Sequence, residues 1–314
     1  MKIINHNLIS QKGLTPIQCV QLVKESFLSK RKAKLPTKIN IRLEGNIRLA
    51  TMPSLSPELG RYAMKLAMRY PLMTPASRSY LLLVDSEQRE LIALLDCTWI
   101  SSMRTGAVAA LTIITLKKNK YENNLSILGL GNSARATLLC LLDSLPEQQF
   151  NIKLLKYKGQ ENLFIERFSE YNNVVFTVVD DVENLIKQAD IVVSCITKAD
   201  ENLADVSWFD PGVLLVPVHT LGFQNCDLFF DKIFADDTGH INDFKHFSRF
   251  KYYAEFSDVL SGKIKGRAND KEKIISYNIG IGLHDLIFAN EIFEKVKDLT
   301  PDIEIEIPLE KFWV

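Results

Sequence analysis

Six residues near the middle of the chain, Gly129-Leu130-Gly131-Asn132-Ser133-Ala134, have the types and spacing to hold a diphosphate. They follow an apolar run at 125–128 and precede a helical run at 135–143, so a strand leads in and a helix leads out. In that setting the first glycine permits a tight turn, the second lets backbone approach a pyrophosphate, and Ala134 lets the helix pack closely on the strand. Asn132 and Ser133 open the helix, whose free N–H groups and partial positive charge suit phosphate oxygens. Gly129, Gly131, Asn132, Ser133 and Ala134 therefore read as a dinucleotide site.

An NAD-specific site carries an acid about 20 residues further on, at the end of the second strand, to hold the ribose 2′-hydroxyl. Here that strand ends Lys156-Tyr157-Lys158-Gly159, with no acid. Lys158, or Lys156, is then placed to meet a 2′-phosphate, which makes the cofactor NAD(H) or NADP(H) with the balance toward NADP(H). Two solvated lysines on a loop are the alternative. Ser194-Cys195-Ile196-Thr197 closes a later strand, where open α/β sheets receive ligands, and Thr197 is the candidate contact there. An ordinary strand end is the other reading.

The elements that must position these residues follow from periodicity. Residues 14–30 open with Thr15-Pro16, a cap followed by proline at the first helical position, and predict a helix packed on the surface. Residues 39–43, 47–51, 63–68, 80–84 and 91–95 are short β-type runs, with the polar turn Asp85-Ser86-Glu87-Gln88 between the last two. They predict an antiparallel sheet. Thr98 is expected to cap a long helix through Leu116, where Gly106, Ala107, Ala109 and Ala110 imply a close helix contact, within the chain or between subunits. Beyond a charged linker at 117–124, apolar strands at 125–128, 152–157, 174–179, 191–196, 213–218 and 232–235 alternate with helical stretches at 133–143 and 182–188. That is the pattern of a parallel sheet covered on both faces. Residues 256–262 and 276–297 read as helices, and 303–314 as an extended tail that can return to the first sheet.

Composition removes several function classes. The chain has 314 residues, 38 Lys plus Arg and 38 Asp plus Glu, so no net field gathers nucleic acid or an acidic membrane surface. Its length calls for two domains. The five cysteines are scattered and read as buried thiols in a reducing compartment. Residues 1–10 form no secretory signal, and no apolar run is read as reaching the ~18 residues of a membrane span, so a cytoplasmic location is expected. His240 and His246 with Asp236, Asp237 and Asp243 read as a polar loop, and no metal is expected.

Met103-Arg104-Thr105-Gly106-Ala107 before a long helix, followed by the glycine loop, resembles the ornithine cyclodeaminase and mu-crystallin family. Met52-Pro53, residues 60–65, Trp208-Phe209-Asp210-Pro211-Gly212, Asp236-Asp237 and Gly280-Ile281-Gly282 with Asp285 extend the likeness over about 36–289. The resemblance implies an α/β protein in which a Rossmann domain, 119–287, is inserted in an α+β substrate and dimerisation domain formed from both chain ends, 1–118 plus 288–314. It implies that Lys65 and Arg104 bind a substrate carboxylate, with Lys38, or else Arg42, as a third basic contact. Arg offers a bidentate fork and Lys a compact charge to such an anion.

After the run at 213–218 the family's cyclodeaminases carry a catalytic Asp, whereas this chain reads Val218-His219-Thr220-Leu221-Gly222. Leu221 can take no proton, so cyclisation of ornithine is not expected. Carboxylate binding and hydride transfer remain, as in the family's ketimine reductases, amino-acid dehydrogenases and opine-type synthases. The expected partner is a small amino, imino or 2-oxo acid, and the resemblance adds a homodimer. His219 is the candidate proton donor by residue type, a buried structural histidine being the alternative. A lyase releasing ammonia and a non-catalytic dinucleotide-binding protein are the competing functions.

Overall fold

The computed structural model describes residues 1–73, 75–305 and 311. Its chain groups into two compact units, 1–14 with 32–101 and 285–314, and 15–31 with 102–284. The first carries a six-stranded sheet built from β1 (Lys2–Ile4), β2 (Ile39–Leu43), β3 (Ile47–Ser56), β4 (Arg61–Arg69), β5 (Ser77–Asp85) and β6 (Glu90–Asp96). Its order is β1-β6-β5-β4-β3-β2, parallel only between β1 and β6.

Side-chain alternation divides this sheet into two unlike faces. Met52, Lys65, Leu81 and Leu95 stand opposite one another across four strands, and all four are buried. Ile39, Thr51, Leu66 and Tyr80 form a row on the other face, where Ile39 is 60% exposed and its neighbour two along, Ile41, 55%. The turn after β5 forms as expected, with Asp85 Oδ1 accepting the N–H groups of Glu87 and Gln88 at 3.0 and 2.9 Å.

The second unit holds an eight-stranded, all-parallel sheet: β7 (Glu122–Leu128), β8 (Gln149–Leu155), β9 (Val174–Val179), β10 (Ile191–Ser194), β11 (Leu214–Pro217), β12 (Lys232–Ala235), β13 (Tyr253–Glu255) and β14 (Ile274–Tyr277). Spatial order is β13-β12-β14-β11-β10-β7-β8-β9. Chain direction across the sheet reverses between β7 and β10. Eight helices accompany the two sheets among the described residues: α1 (His6–Lys12), α2 (Pro16–Ser29), α3 (Thr98–Leu116), α4 (Asn132–Ser144), α5 (Gln160–Arg167), α6 (Val182–Ile186), α7 (Phe256–Leu260) and α8 (Gly282–Val296).

Several local expectations change. Thr15 does close a capping box with Gln18, and α2 then packs on α4 and α7, so α2 and most of α3 group with the parallel-sheet unit. Thr98 is the first residue of α3, not its cap; Asp96 Oδ1 accepts the Thr98 N–H at 2.9 Å. Gly106 of α3 serves a contact inside the chain. A β-carbon on Gly106 would fall 2.5 Å from the Ala136 Cβ and the Thr137 nitrogen of α4.

By length and composition α3 is also apolar enough to cross a membrane, contrary to the sequence reading, although 67% of that stretch is buried within the protein. Ser276 and Tyr277 belong to β14, and the final helix begins only at Gly282. At the tail, Met1 and Ile303 exchange backbone hydrogen bonds at 3.0 and 2.8 Å, returning the chain to β1. Residues 306–310 and 312–314 of the expected extended tail lie outside the described residues.

Candidate functional site

The glycine loop sits where β7 hands over to α4. Gly129 has φ +88°, and a β-carbon there would lie 3.0 Å from Cys195 C and Ile196 N, so the turn is seated directly on the end of β10. Gly131 is different: a β-carbon would meet nothing within 4 Å. It occupies the N-cap of α4 without any side-chain cap, and the first N–H groups of a helix have no partner within the helix. Ala134 is fully buried against the core. Backbone donors, a helix dipole and clear room above a glycine fit a pyrophosphate, and the strand-order reversal between β7 and β10 is where open sheets bind dinucleotides.

Beyond the end of β8 the next acid along the chain is already engaged. Glu161 Oε2 accepts the Tyr157 N–H at 2.9 Å, a bond that holds its carboxyl below the usual carboxylate range. Lys156 forms an exposed pair with Asp180 at 3.1 Å. Lys158 has φ +53° and places its ammonium 5.3 Å from the centre of the exposed Tyr157 ring. Thr197, beyond β10, is exposed. Burial pushes the neighbouring Cys195 thiol up to about 12, with Thr137 opposing, which leaves no thiolate for chemistry.

His219 follows β11, and both its nitrogens are engaged. Leu221 N–H donates to Nδ1 at 3.1 Å, so Nδ1 carries no proton, and Nε2–H faces the buried Ser194 Oγ at 2.7 Å. Burial lowers its pKa to about 4. A neutral imidazole with both nitrogens occupied is poorly suited to give a proton to substrate, which argues against the donor role expected from sequence. Leu221 brings no carboxylate to this loop.

The two basic residues expected from sequence to meet a carboxylate, Lys65 and Arg104, each have a dedicated scaffold. Lys65, 2% exposed on β4, points its ammonium at Asp285 Oδ1, 2.8 Å away on α8. Arg104, 7% exposed on α3, packs its guanidinium against Gly280, whose φ is +91°. A β-carbon at 280 would overlap Arg104 Nη1 and stand 2.8 Å from Cζ. The Gly280 N–H donates to the buried Asp236, which also meets His240 Nδ1 at 3.3 Å. Burial would raise the Asp236 carboxyl, but His240 and the Gly280 N–H hold it below its ordinary value. Behind it, Lys30 donates to the Asp236 carbonyl at 2.7 Å and pairs with Asp237 and Glu255.

Lys38 lies half-buried just before β2, and Arg42 is exposed within it, opposite Arg48. No group of three or more His, Cys, Asp or Glu among the described residues is arranged to hold a metal; His240 instead supports Asp236.

The fold has counterparts among known proteins. A model of the ornithine cyclodeaminase/mu-crystallin family matches residues 7–300. The chain belongs to that family. A Delta(1)-pyrroline-2-carboxylate reductase of Bacillus cereus is 23% identical over 276 residues, covering 81% of this chain and 83% of that protein. The structure of the Thermococcus litoralis Delta(1)-pyrroline-2-carboxylate reductase, with NADH and L-proline, superposes with a TM-score of 0.85 at 20% identity, covering 96% of this chain and all of that one. An archaeal alanine dehydrogenase dimer with bound NAD gives 0.84 at 18% identity, covering 98% and 99% of the two chains.

Within the family frame, the Asp236–Gly280–Arg104 relay accounts for two motifs that sequence could match but not explain. Asp236 and Gly280 lie 44 residues apart, and nothing in their spacing signals the bond between them.

Proposed function

We propose that this family member is an NAD(P)H-dependent reductase of small imino acids, converting the C=N of a 2-imino acid to the corresponding amine. The reading is carried by the open, uncapped N-terminus of α4 above Gly131 on a doubly wound sheet. A bound reduced nicotinamide supplies the hydride to the imine carbon. Lys65 and Arg104 are assigned to the substrate carboxylate, and the Lys65 ammonium, steadied by Asp285, replaces His219 as the candidate source of the proton for the imine nitrogen. Leu221 in place of an acid favours reduction over ammonia release. NADP(H) is the favoured cofactor, because Lys156 and Lys158 flank a loop whose Glu161 is already committed.

A homodimer is favoured by the exposed apolar outer row Ile39, Leu66 and Tyr80 with Ile41, whose chemistry suits a second copy. Five cysteines outside any disulfide, four of them buried, favour a reducing compartment such as the cytoplasm.

The test is spectrophotometric: purified protein with NADPH or NADH, offered cyclic imines or 2-oxo acids plus amines, with Arg104→Ala as control. Cofactor oxidation that disappears in the variant supports a reductase. Ammonia release from ornithine without net cofactor change, or tight dinucleotide binding with no turnover of any substrate, would overturn it.

A further inference from the structure

His219 and Ser194 belong to two different strand ends of the parallel sheet. Ser194 is the last residue of β10 and His219 lies two residues beyond β11, so the 2.7 Å bond between them ties the two following loops together. The second bond, Leu221 N–H to Nδ1 at 3.1 Å, curls the loop after β11 back onto the same ring. Phe223, fully buried, packs beside the imidazole at an interplanar angle of 27° with ring centres 6.2 Å apart. On the other side, Cys195 and Ile196 form the floor beneath Gly129. One neutral ring therefore sets three pieces of backbone that meet at the carboxyl edge of the sheet. A doubly wound sheet receives the two mononucleotide halves of its cofactor on opposite sides of the order reversal, and β10 with β11 forms one half while β7 with β8 forms the other.

We propose that His219 is a positioning residue for the nicotinamide half of the cofactor, bracketing the loops after β10 and β11 through Ser194 Oγ and the Leu221 N–H. This rests on the dinucleotide-binding reading above. The tautomer is central to it. Only a side chain that accepts from Leu221 while meeting Ser194 holds both loops, and an asparagine retains the first bond through its amide oxygen. A leucine or alanine retains neither.

The experiment is fluorescence titration of the full-length protein with NADPH, NADH and ADP, comparing wild type, His219→Ala, His219→Asn and Ser194→Ala, with circular dichroism as the check on folding. Removing the bracket is expected to weaken reduced dinucleotide binding about tenfold or more in His219→Ala, the scale of one or two lost hydrogen bonds. ADP, which lacks the nicotinamide half, is expected to bind within about twofold of wild type, and His219→Asn, which keeps the Leu221 bond but not the Ser194 bond, to recover part of the loss. Ser194→Ala, a milder change, is expected to lie between and serves if His219→Ala does not fold. Unchanged dinucleotide affinity in folded His219→Ala and Ser194→Ala overturns the proposal, as does an equal loss for ADP. Failure of wild type to bind any dinucleotide overturns the cofactor reading and this inference with it.

Discussion

A methyl group at position 280 has no room unless Arg104 moves. Its carbon would overlap Nη1 and stand 3.0 Å from Nη2, and φ of +91° adds strain for any side chain. Gly280→Ala is therefore expected to turn the guanidinium out of its place with the fold intact. If Arg104 holds the substrate carboxylate, KM for the imino acid rises about tenfold or more while NADPH affinity changes little, because a bidentate fork tolerates small displacements poorly. Steady-state kinetics beside a dinucleotide titration reads the two apart; an unchanged KM would remove Arg104 from the substrate. The same guanidinium shows where sequence ran short. Arg104 stood out by its motif, but its support comes from Asp236 and Gly280, far along the chain.

Among the elements, α3 and α4 approach so closely that Gly106 has no space for a β-carbon against Ala136 and Thr137. Gly106→Ala must push the helices apart, and overpacking of this kind costs about 1–3 kcal/mol. A fall in Tm is expected, together with weaker dinucleotide binding as the first turn of α4 shifts; thermal unfolding with and without NADPH measures both, and an unshifted Tm would refute the close packing. Local signals made most elements legible. Alternation marked the antiparallel strands, Thr15-Pro16 marked α2, and the glycine loop marked the join of β7 and α4. What failed were elements whose identity depends on distant partners. β14 is a four-residue strand, Ile274–Tyr277, stabilised by β11 and β12 on either side, and its last two residues also fit the helical reading of the following stretch. β1 is three residues that pair with β6. The small residues of α3 announced a close contact but not its partner, since periodicity carries no record of which surface is opposite. For His219, residue type suggested acid–base work, and only the placement of Ser194 and Leu221 around the ring revealed its occupied nitrogens.

For the molecule as a whole, the exposed row on the six-stranded sheet makes association the natural expectation. Ile41→Glu combined with Leu66→Glu places charge on that face and is expected to convert a dimer to monomer at micromolar concentration, read by size-exclusion chromatography with light scattering. A wild-type protein that runs as a monomer at all concentrations would reject the interface. The division of the first unit between the two ends of the chain has another consequence, in time rather than space. Lys65 and Asp285 are 220 residues apart, so at about 5–20 residues per second a ribosome adds Asp285 roughly 10–45 s after Lys65. Throughout that interval the hairpins of β3 to β6 can pair, yet Lys65 stands on them without its counter-ion. The buried ion pair is thus completed late, and the rate of synthesis, not only the sequence, sets how long the sheet stands without it.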